Sequence, residues 1–234
     1  MRILCTICFR KGSKGLQNKN IKYIFGKPLF KHTVDQAIKS KIFDNIIISS
    51  DYKNLHKYIK FSKNLIFLKR DKKLSNDRVG KLDVIKNAAR HAEKIQKKKF
   101  DIFFDMDVTS PVRTIDDIKN ALSYFIRGKY DNLITATLSK KNPYFNMVEI
   151  IKKKVGLSKK KKQNLLRRQD APKVYSMNAS MYIWKRNFFF KNKNIIGKKT
   201  GLYPMTSISS YDIDNELDFE INKLIIKKYA KILK

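Results

Sequence analysis

The chain has 234 residues, 53 of them Lys or Arg against 20 Asp or Glu, giving a formal charge of +33 with 42% hydrophobic residues. That length suits one well-buried α/β core with a small excursion from it and is short for two large independent domains, so 1–234 is read as a single domain. No segment approaches the continuous apolar length of a membrane span and no long apolar signal region opens the chain, so a cytoplasmic location is expected.

The first apolar run, residues 3–8, predicts a buried strand, and FRKGSKGLQNKN at 9–20 leaves it as a basic, glycine-broken loop. Such a loop suits phosphate. Gly12 and Gly15 permit close backbone turns around an anion, while Arg10, Lys14 and Lys19 supply charge-assisted donors. The loop lacks GxxxxGK[ST] and GxGxxG, which excludes the ATPase-type and dinucleotide fingerprints. A solvated lysine-rich surface loop is its plain alternative. Cys5 and Cys8 are spaced C-x-x-C but lie inside the strand ILCTIC, where they read as core residues and not as a redox pair. With His32, His56 and His91 each in lysine-rich, helix-like surroundings, a zinc site is not expected.

Pro28 opens a predicted helix reaching about Lys39, and FDNIIISSD at 43–51 reads as a turn, a buried strand over 45–50 and an acidic exit. A further strand is predicted at 64–68. The basic run LKRDKKLSNDRVGK follows, in which the charges of Arg70 and Lys81 suit an acidic substrate and a leaving diphosphate. Leu82, Ile85, Ala88, Ala89 and Ala92 give the next helix its apolar stripe.

After a strand expected at 100–105, DMDVTSPVRT at 105–114 can form one wall of a substrate cleft. Asp107 can accept from a ligand hydroxyl or join a metal shell, and Thr109 and Ser110 can bond ligand or fix the loop. Arg113 has two readings, an anion contact or a structural bond to a loop carbonyl. Thr114 is placed to cap a helix starting at Ile115, and a strand is expected at 131–138.

The β-α rhythm breaks over 141–184, where extended aromatic stretches flank a lysine-rich turn, consistent with a dimerising lobe, a substrate cover or an edge hairpin. GLYPM at 201–205 then leads to SYDIDNELDFEINKLIIKKYAKIL. Leu217, Phe219, Ile221, Leu224, Ile225 and Tyr229 have helical spacing there. Asp212 and Asp214 flank Ile213, and in an extended segment residues i and i+2 share a face, so both carboxylates can meet one hard cation while Ile213 points inward. Asp214 as a helix cap is the alternative, and Asp105 with Asp107 forms a second i, i+2 acidic pair. The repeated β-α order predicts a Rossmann-like, mostly parallel sheet flanked by helices, with a small extended lobe, and ligand beyond the carboxyl ends of its strands.

The basic charge also invites a nucleic-acid reading, because such a field attracts polyanions. The lysines are dispersed, however, with short runs at 97–99, 152–154 and 159–162, and no zinc finger, RNP-type aromatic pair or basic zipper accompanies them.

Taken in order, RKGSKGLQNKN (10–20), FDNIIISSD (43–51), TSPVRT (109–114), RRQDAPKVYSMNASMYI (167–183) and SYDIDNELDF (210–219) resemble the CMP-sugar synthetases over nearly the full chain. Within them, ILCTICFRKGSKG, NDRVGKLDV, NLITA, NPYFNMVEI and APKVYSMNAS look most like the CMP-N,N'-diacetyllegionaminate synthases. The resemblance implies cytidylyl transfer from CTP to the anomeric hydroxyl of an acidic nine-carbon sugar, with release of diphosphate and dependence on Mg2+. It implies nucleotide contacts from Arg10, Gly12, Ser13, Lys14, Gly15, Lys19, Asn20, Arg70 and Lys81, with Arg10, Lys14, Lys19, Asp212 and Asp214 carrying catalysis. Asp107, Thr109, Ser110, Arg168, Gln169, Asn178 and Tyr182 fall on the sugar side, and Asp212 and Asp214 on the metal. A homodimer is expected, without a nucleic-acid or membrane partner.

Some positions depart from the sialic acid synthetases. Asp107 stands in place of a glutamine, Val108 of a proline, Lys81 of a small polar residue, Lys11 of a loop glycine, and Phe145 of a lysine found in some of those enzymes. Asp107 and Val108 argue against assigning the commonest sialic acid, Lys81 fits the legionaminate-like run, and Phe145 fits a cleft adapted to a less hydroxylated sugar; N-acetylneuraminate, pseudaminate and 3-deoxy-manno-octulosonate remain the alternative acceptors. No histidine is placed to act as a general base.

Overall fold

In the computed structural model, residues 1–12, 15–76, 79–160, 165 and 167–229 are described. In chain order the elements are β1 (Ile3–Cys8), β2 (Tyr23–Ile24), β3 (Lys27–Pro28), α1 (Leu29–Ser40), β4 (Asn45–Ser50), β5 (Leu65–Lys69), α2 (Lys81–Gln96), β6 (Ile102–Met106), α3 (Ile115–Arg127), β7 (Asn132–Leu138), β8 (Val148–Ile151), β9 (Lys154–Leu157), β10 (Tyr175–Lys185), α4 (Arg186–Lys191), β11 (Thr200–Met205) and α5 (Glu216–Lys228). The expected Rossmann-like α/β layout is present: a seven-stranded sheet runs β11-β7-β10-β6-β1-β4-β5, with β10 alone antiparallel to its neighbours.

The central strands are buried on both faces, which is why β1 and β4 read as continuous apolar runs. Ile3, Cys5 and Ile7 of β1 pack into one layer with α1, α3 and α5, whereas Leu4 joins the opposite layer formed by α2 and the aromatic cluster of Phe103, Trp184 and Phe189. The chain leaves β1 for β4 and β5 and returns to β6 on the other side of β1. That reversal opens a crevice at the carboxyl ends of β1 and β6, the position where open α/β sheets hold ligands.

Local chemistry sets several boundaries. Thr114 and Asp117 form a reciprocal capping box at α3, with the Asp117 amide donating to Thr114 Oγ1 at 2.8 Å. At α5 the cap is Asn215 paired with Asp218, so Asp214 is left out of the capping role. Pro28 lies just before α1 and not inside its first turn.

The apolar stripe expected on α5 is only partly used. Phe219 is buried and Ile226 packs beside it, whereas Leu217 and Leu224, seven residues apart, lie on the solvent side and are 69% and 68% exposed. The helix turns its core face along positions 219, 222 and 226 because buried Asn222 donates to the Tyr211 and Asp218 carbonyls.

The irregular region contains a separate hairpin, β8 paired with β9, whose turn residues Lys152 and Lys153 are left-handed, as a two-residue hairpin turn requires. It is followed by a bulge in β10 between Met177 and Tyr182, where Ala179 has φ 53°. Among the described residues no helix is long and apolar enough to cross a membrane.

Candidate active site

The crevice is built from four loops, each held by a strand end. Past β1, the Phe9 amide still pairs with Ser49 O, the Lys11 amide donates to Asp51 Oδ1 at 2.7 Å, and Asn20 Nδ2 donates to Arg10 O at 2.9 Å, curling the basic segment over the end of the sheet. Asn20 is buried and its Oδ1 has no hydrogen-bond partner among the described residues, leaving one acceptor for a ligand. Ser13 and Lys14 lie outside the described residues.

The glycines have separate roles. Nothing stands within 4 Å of a Cβ built on Gly12, but one on Gly15 would sit 2.2 Å from the Asp214 carbonyl oxygen. Gly15 is therefore required for the basic loop to press against the acidic turn of residues 212–214, and the close approach is to protein backbone.

That contact is reinforced by Lys19, whose ammonium donates to Ile213 O at 2.5 Å and Asp214 Oδ1 at 3.0 Å. Ile213 is fully buried, and its amide is anchored on Thr109 O, so Asp212 and Asp214 are presented on either side of it as an extended i, i+2 pair. Asp214 is exposed. Asp212 is bonded to Ser110 Oγ at 3.3 Å, and its carboxyl is raised above the ordinary range by burial and by the negative field of Asp107.

Residues 105–113 form the opposite wall. Asp105 is fully buried at the end of β6, accepts from Thr6 Oγ1 at 2.7 Å, and lies 3.2 Å from the Lys81 ammonium. Lys81 also contacts Asp107 Oδ2 at 2.5 Å and sits 5.0 Å above the Tyr182 ring. Burial opposes ionisation of Asp107, but the Lys81 charge and the bonds from Thr109 outweigh it and bring its pKa to about 2. The positive charge of Lys81, expected to face phosphate, is thus neutralised by two carboxylates within the protein.

Arg113 resolves to its structural reading. Its fully buried guanidinium donates to Gln36 Oε1 at 3.0 Å, Thr33 Oγ1 at 2.9 Å, Ser180 Oγ at 3.1 Å and the carbonyls of Ser180 and Asp107. Ser110 is likewise a loop-fixing residue, donating to Asn178 O at 2.9 Å.

The cleft has two connected parts. One, about 400 Å³, is lined by Arg10, Gly12, Gly15, Lys19, Thr109 and Asp214; the other, about 210 Å³, by Arg70, Leu74, Asn76, Val79, Lys81 and Val84. Cys8, Phe9, Arg10 and Asp107 border both. Arg70 is buried, with Nη2 on Ser49 O at 3.0 Å, which fixes it in the smaller part. The sequence did not single out Phe9, Leu74 or Val79 for the cleft, and only their position beside the loops could have suggested it. Cys8 is the last residue of β1, and burial pushes its thiol pKa up, so it forms an un-ionised floor.

The residues expected on the sugar side are not assembled in the same way. Asn178 lies inside the β10 bulge, where Nδ2 donates to Ser209 O at 3.0 Å and Oδ1 accepts from Thr135 Oγ1 at 2.8 Å. Tyr182 is buried against Trp184 beneath Lys81. Arg168 and Gln169 occupy an exposed turn, with Arg168 reaching Ser139 O at 3.4 Å. These four residues line neither part of the cleft.

Comparison with known proteins adds to this geometry. The cytidylyltransferase family model matches residues 4–232. The CMP-N,N'-diacetyllegionaminic acid synthase of Campylobacter jejuni is 43% identical over 96% of this chain and 94% of that protein. Post-translational flagellin modification protein B of Campylobacter coli is 41% identical over 97% and 95%, respectively. Among solved structures, a CMP:2-keto-3-deoxy-manno-octonic acid synthetase complexed with CTP superposes with a TM-score of 0.68 at 14% identity, covering 97% of this chain and 99% of that one. That likeness concerns the fold.

Proposed function

The chain belongs to the cytidylyltransferase family, and from that premise we propose that it transfers the cytidylyl group of CTP to the anomeric hydroxyl of N,N'-diacetyllegionaminic acid, releasing diphosphate. It is a CTP-dependent nucleotidyltransferase related to the CMP-sialic-acid and CMP-legionaminate synthetases. The observation that carries the mechanistic reading is the meeting of the basic loop and the acidic turn: Lys19 and Asp214, 195 positions apart, touch at the carboxyl end of β1.

In this reading Arg10 and Lys19 hold the triphosphate, Gly12 leaves room for it, and the acceptor hydroxyl attacks the α-phosphorus in line. The bond from that phosphorus to the bridging oxygen breaks, and the basic loop stabilises charge on the departing diphosphate. Thr109 lines the larger part of the cleft, and Arg168 and Gln169 offer a cation and an amide, respectively, to an acidic sugar entering from the side of residue 139.

Among the described residues there is no cluster of three or more His, Cys, Asp or Glu side chains able to hold a metal. The donor set nonetheless fits magnesium, which is held by one or two carboxylates together with substrate phosphates and water. Asp212 and Asp214 supply hard oxygens beside the phosphate loop, and the raised Asp212 carboxyl is a half-buried acid whose ionisation a cation would favour. When bound, magnesium would neutralise phosphate charge at Asp212 and Asp214.

We also propose that the region 141–184 is a dimerising lobe, supported by the exposed apolar side chains of its hairpin. Ile150 is 76% and Val155 70% exposed, with Val148 and Ile151 beside them. A variant carrying Ile150→Asp and Val155→Asp is expected to run as a monomer in light scattering while the parent runs as a dimer; a monomeric parent at micromolar concentration would refute the lobe's role. A cytoplasmic location follows from the same reading, because CTP is drawn from that compartment.

The functional test is diphosphate release with mass-resolved product formation from CTP and magnesium. It should compare N,N'-diacetyllegionaminate with N-acetylneuraminate, pseudaminate and 3-deoxy-manno-octulosonate. The first acceptor is expected to show the highest kcat/KM. Preference for another acceptor would reject the substrate assignment and keep the reaction class.

A further inference from the structure

We propose that Asp107 and Lys81 together read the vicinal hydroxyls of the nucleotide ribose, which makes this pair a specificity element for ribonucleoside over deoxyribonucleoside triphosphate. The proposal rests on the CTP dependence of the family and is independent of the acceptor assigned above.

Position is the first support. A nucleoside triphosphate must place its ribose between base and phosphates. The smaller part of the cleft, with Leu74, Val79, Val84 and Arg70, suits a planar base, and the larger part carries the phosphate loop. Asp107 borders both and is the carboxylate at their junction.

Hydrogen-bond capacity is the second. An ionised carboxylate offers about four acceptor directions. Among the described residues, Asp107 Oδ1 accepts from the Thr109 amide and Thr109 Oγ1, both at 2.9 Å, and Oδ2 accepts from Lys81. Oδ2 retains room for one more donor. The Lys81 ammonium has three donors; it donates to Asp107 Oδ2 and lies 3.2 Å from Asp105 Oδ2 as an ion pair, which leaves at least one donor for an oxygen. An acceptor and a donor on adjoining atoms complement a cis-diol, in which one hydroxyl donates to Asp107 and its neighbour accepts from Lys81.

Electrostatics is the third. An ammonium shared by two carboxylates and laid over the Tyr182 ring is a poor partner for a phosphate, and a carboxylate repels one. A neutral polyol meets neither obstacle. The ties to buried Asp105 and to Thr109 also hold both groups still before ligand arrives, so little ordering remains to be done on binding.

The test is calorimetric binding of CTP, 2′-deoxy-CTP and 3′-deoxy-CTP to the full chain without acceptor. The parent is expected to prefer CTP over at least one deoxy analogue by about tenfold to a hundredfold, the worth of a hydrogen bond to a charged group. In Asp107→Asn this ratio should fall to about twofold or less, whatever the common change in affinity for all three nucleotides; Lys81→Met should reduce discrimination at the other hydroxyl. Equal affinity of the parent for all three nucleotides overturns the proposal without recourse to any variant. So does an unchanged ratio in folded Asp107→Asn, including the case where only the acceptor KM rises, which would place Asp107 on the sugar. A parent that binds no CTP would instead refute the nucleotide reading on which the proposal rests.

Discussion

Lys19→Ala is expected to lower kcat/KM for CTP by about 10²–10³, the usual cost of removing one preorganised donor from a developing negative charge. The side chain is 13% exposed and is held by Ile213 O and Asp214 Oδ1, so its ammonium waits at the rim of the larger part of the cleft in a fixed place. A cation fixed in advance needs little reorganisation when charge builds on the diphosphate. Lys19→Arg keeps the charge but not the compact ammonium geometry, and is expected to recover part of the loss. Steady-state kinetics and calorimetric CTP binding on folded protein decide it. A kcat/KM within about threefold of the parent for Lys19→Ala would remove Lys19 from the phosphate grip.

The largest stability effect is expected at Arg113. Arg113→Ala should destabilise the fold by about 3–5 kcal/mol, the range seen when a buried charged partner is deleted. The side chain links α1 through Thr33 and Gln36, the cleft wall through Asp107 O, and β10 through Ser180, and all of these groups are buried or nearly so. Its removal leaves the Ser180 and Asp107 carbonyls short of a donor and opens a cavity at the centre of the molecule. Burial lowers the guanidinium pKa to about 10, so the group remains charged at neutral pH. Lysine at this position can satisfy fewer of the forked contacts, so Arg113→Lys should remain clearly below the parent. Denaturant titration measures both variants. A loss under about 1 kcal/mol for Arg113→Ala would show that the network is redundant.

The strands were legible because their signals are local. The runs at 3–8, 45–50, 64–68, 100–105 and 131–138 correspond to β1, β4, β5, β6 and β7 within two residues at each boundary, and Thr114 caps α3 as its sequence context implies. The amphipathic reading of α5 was less complete. Leu217 and Leu224 have helical spacing, but buried Asn222 and Phe219 decide which side faces the core.

The basic glycine-broken loop and the Asp212–Ile213–Asp214 alternation were visible for the same local reason, since each depends on residues close together in the chain. Their mutual contact was not visible. In a chain with 53 basic residues, Lys19, Lys81 and Arg113 look alike along the sequence, yet one is held at the cleft rim, one is neutralised by Asp105 and Asp107, and one is sealed in the core. Asn178, a polar residue in an extended segment, was open to a ligand role until the β10 bulge turned its amide toward Thr135 and Ser209. The sequence by itself determined the α/β class, the order of β1, β4, β5, β6 and β7 with the helices between them, and the basic loop and acidic pair as motifs, because hydrophobic period, capping and loop composition act over a few residues. Only the tertiary structure decided which charges remain for a ligand, because pairing and burial depend on partners brought together from distant parts of the chain.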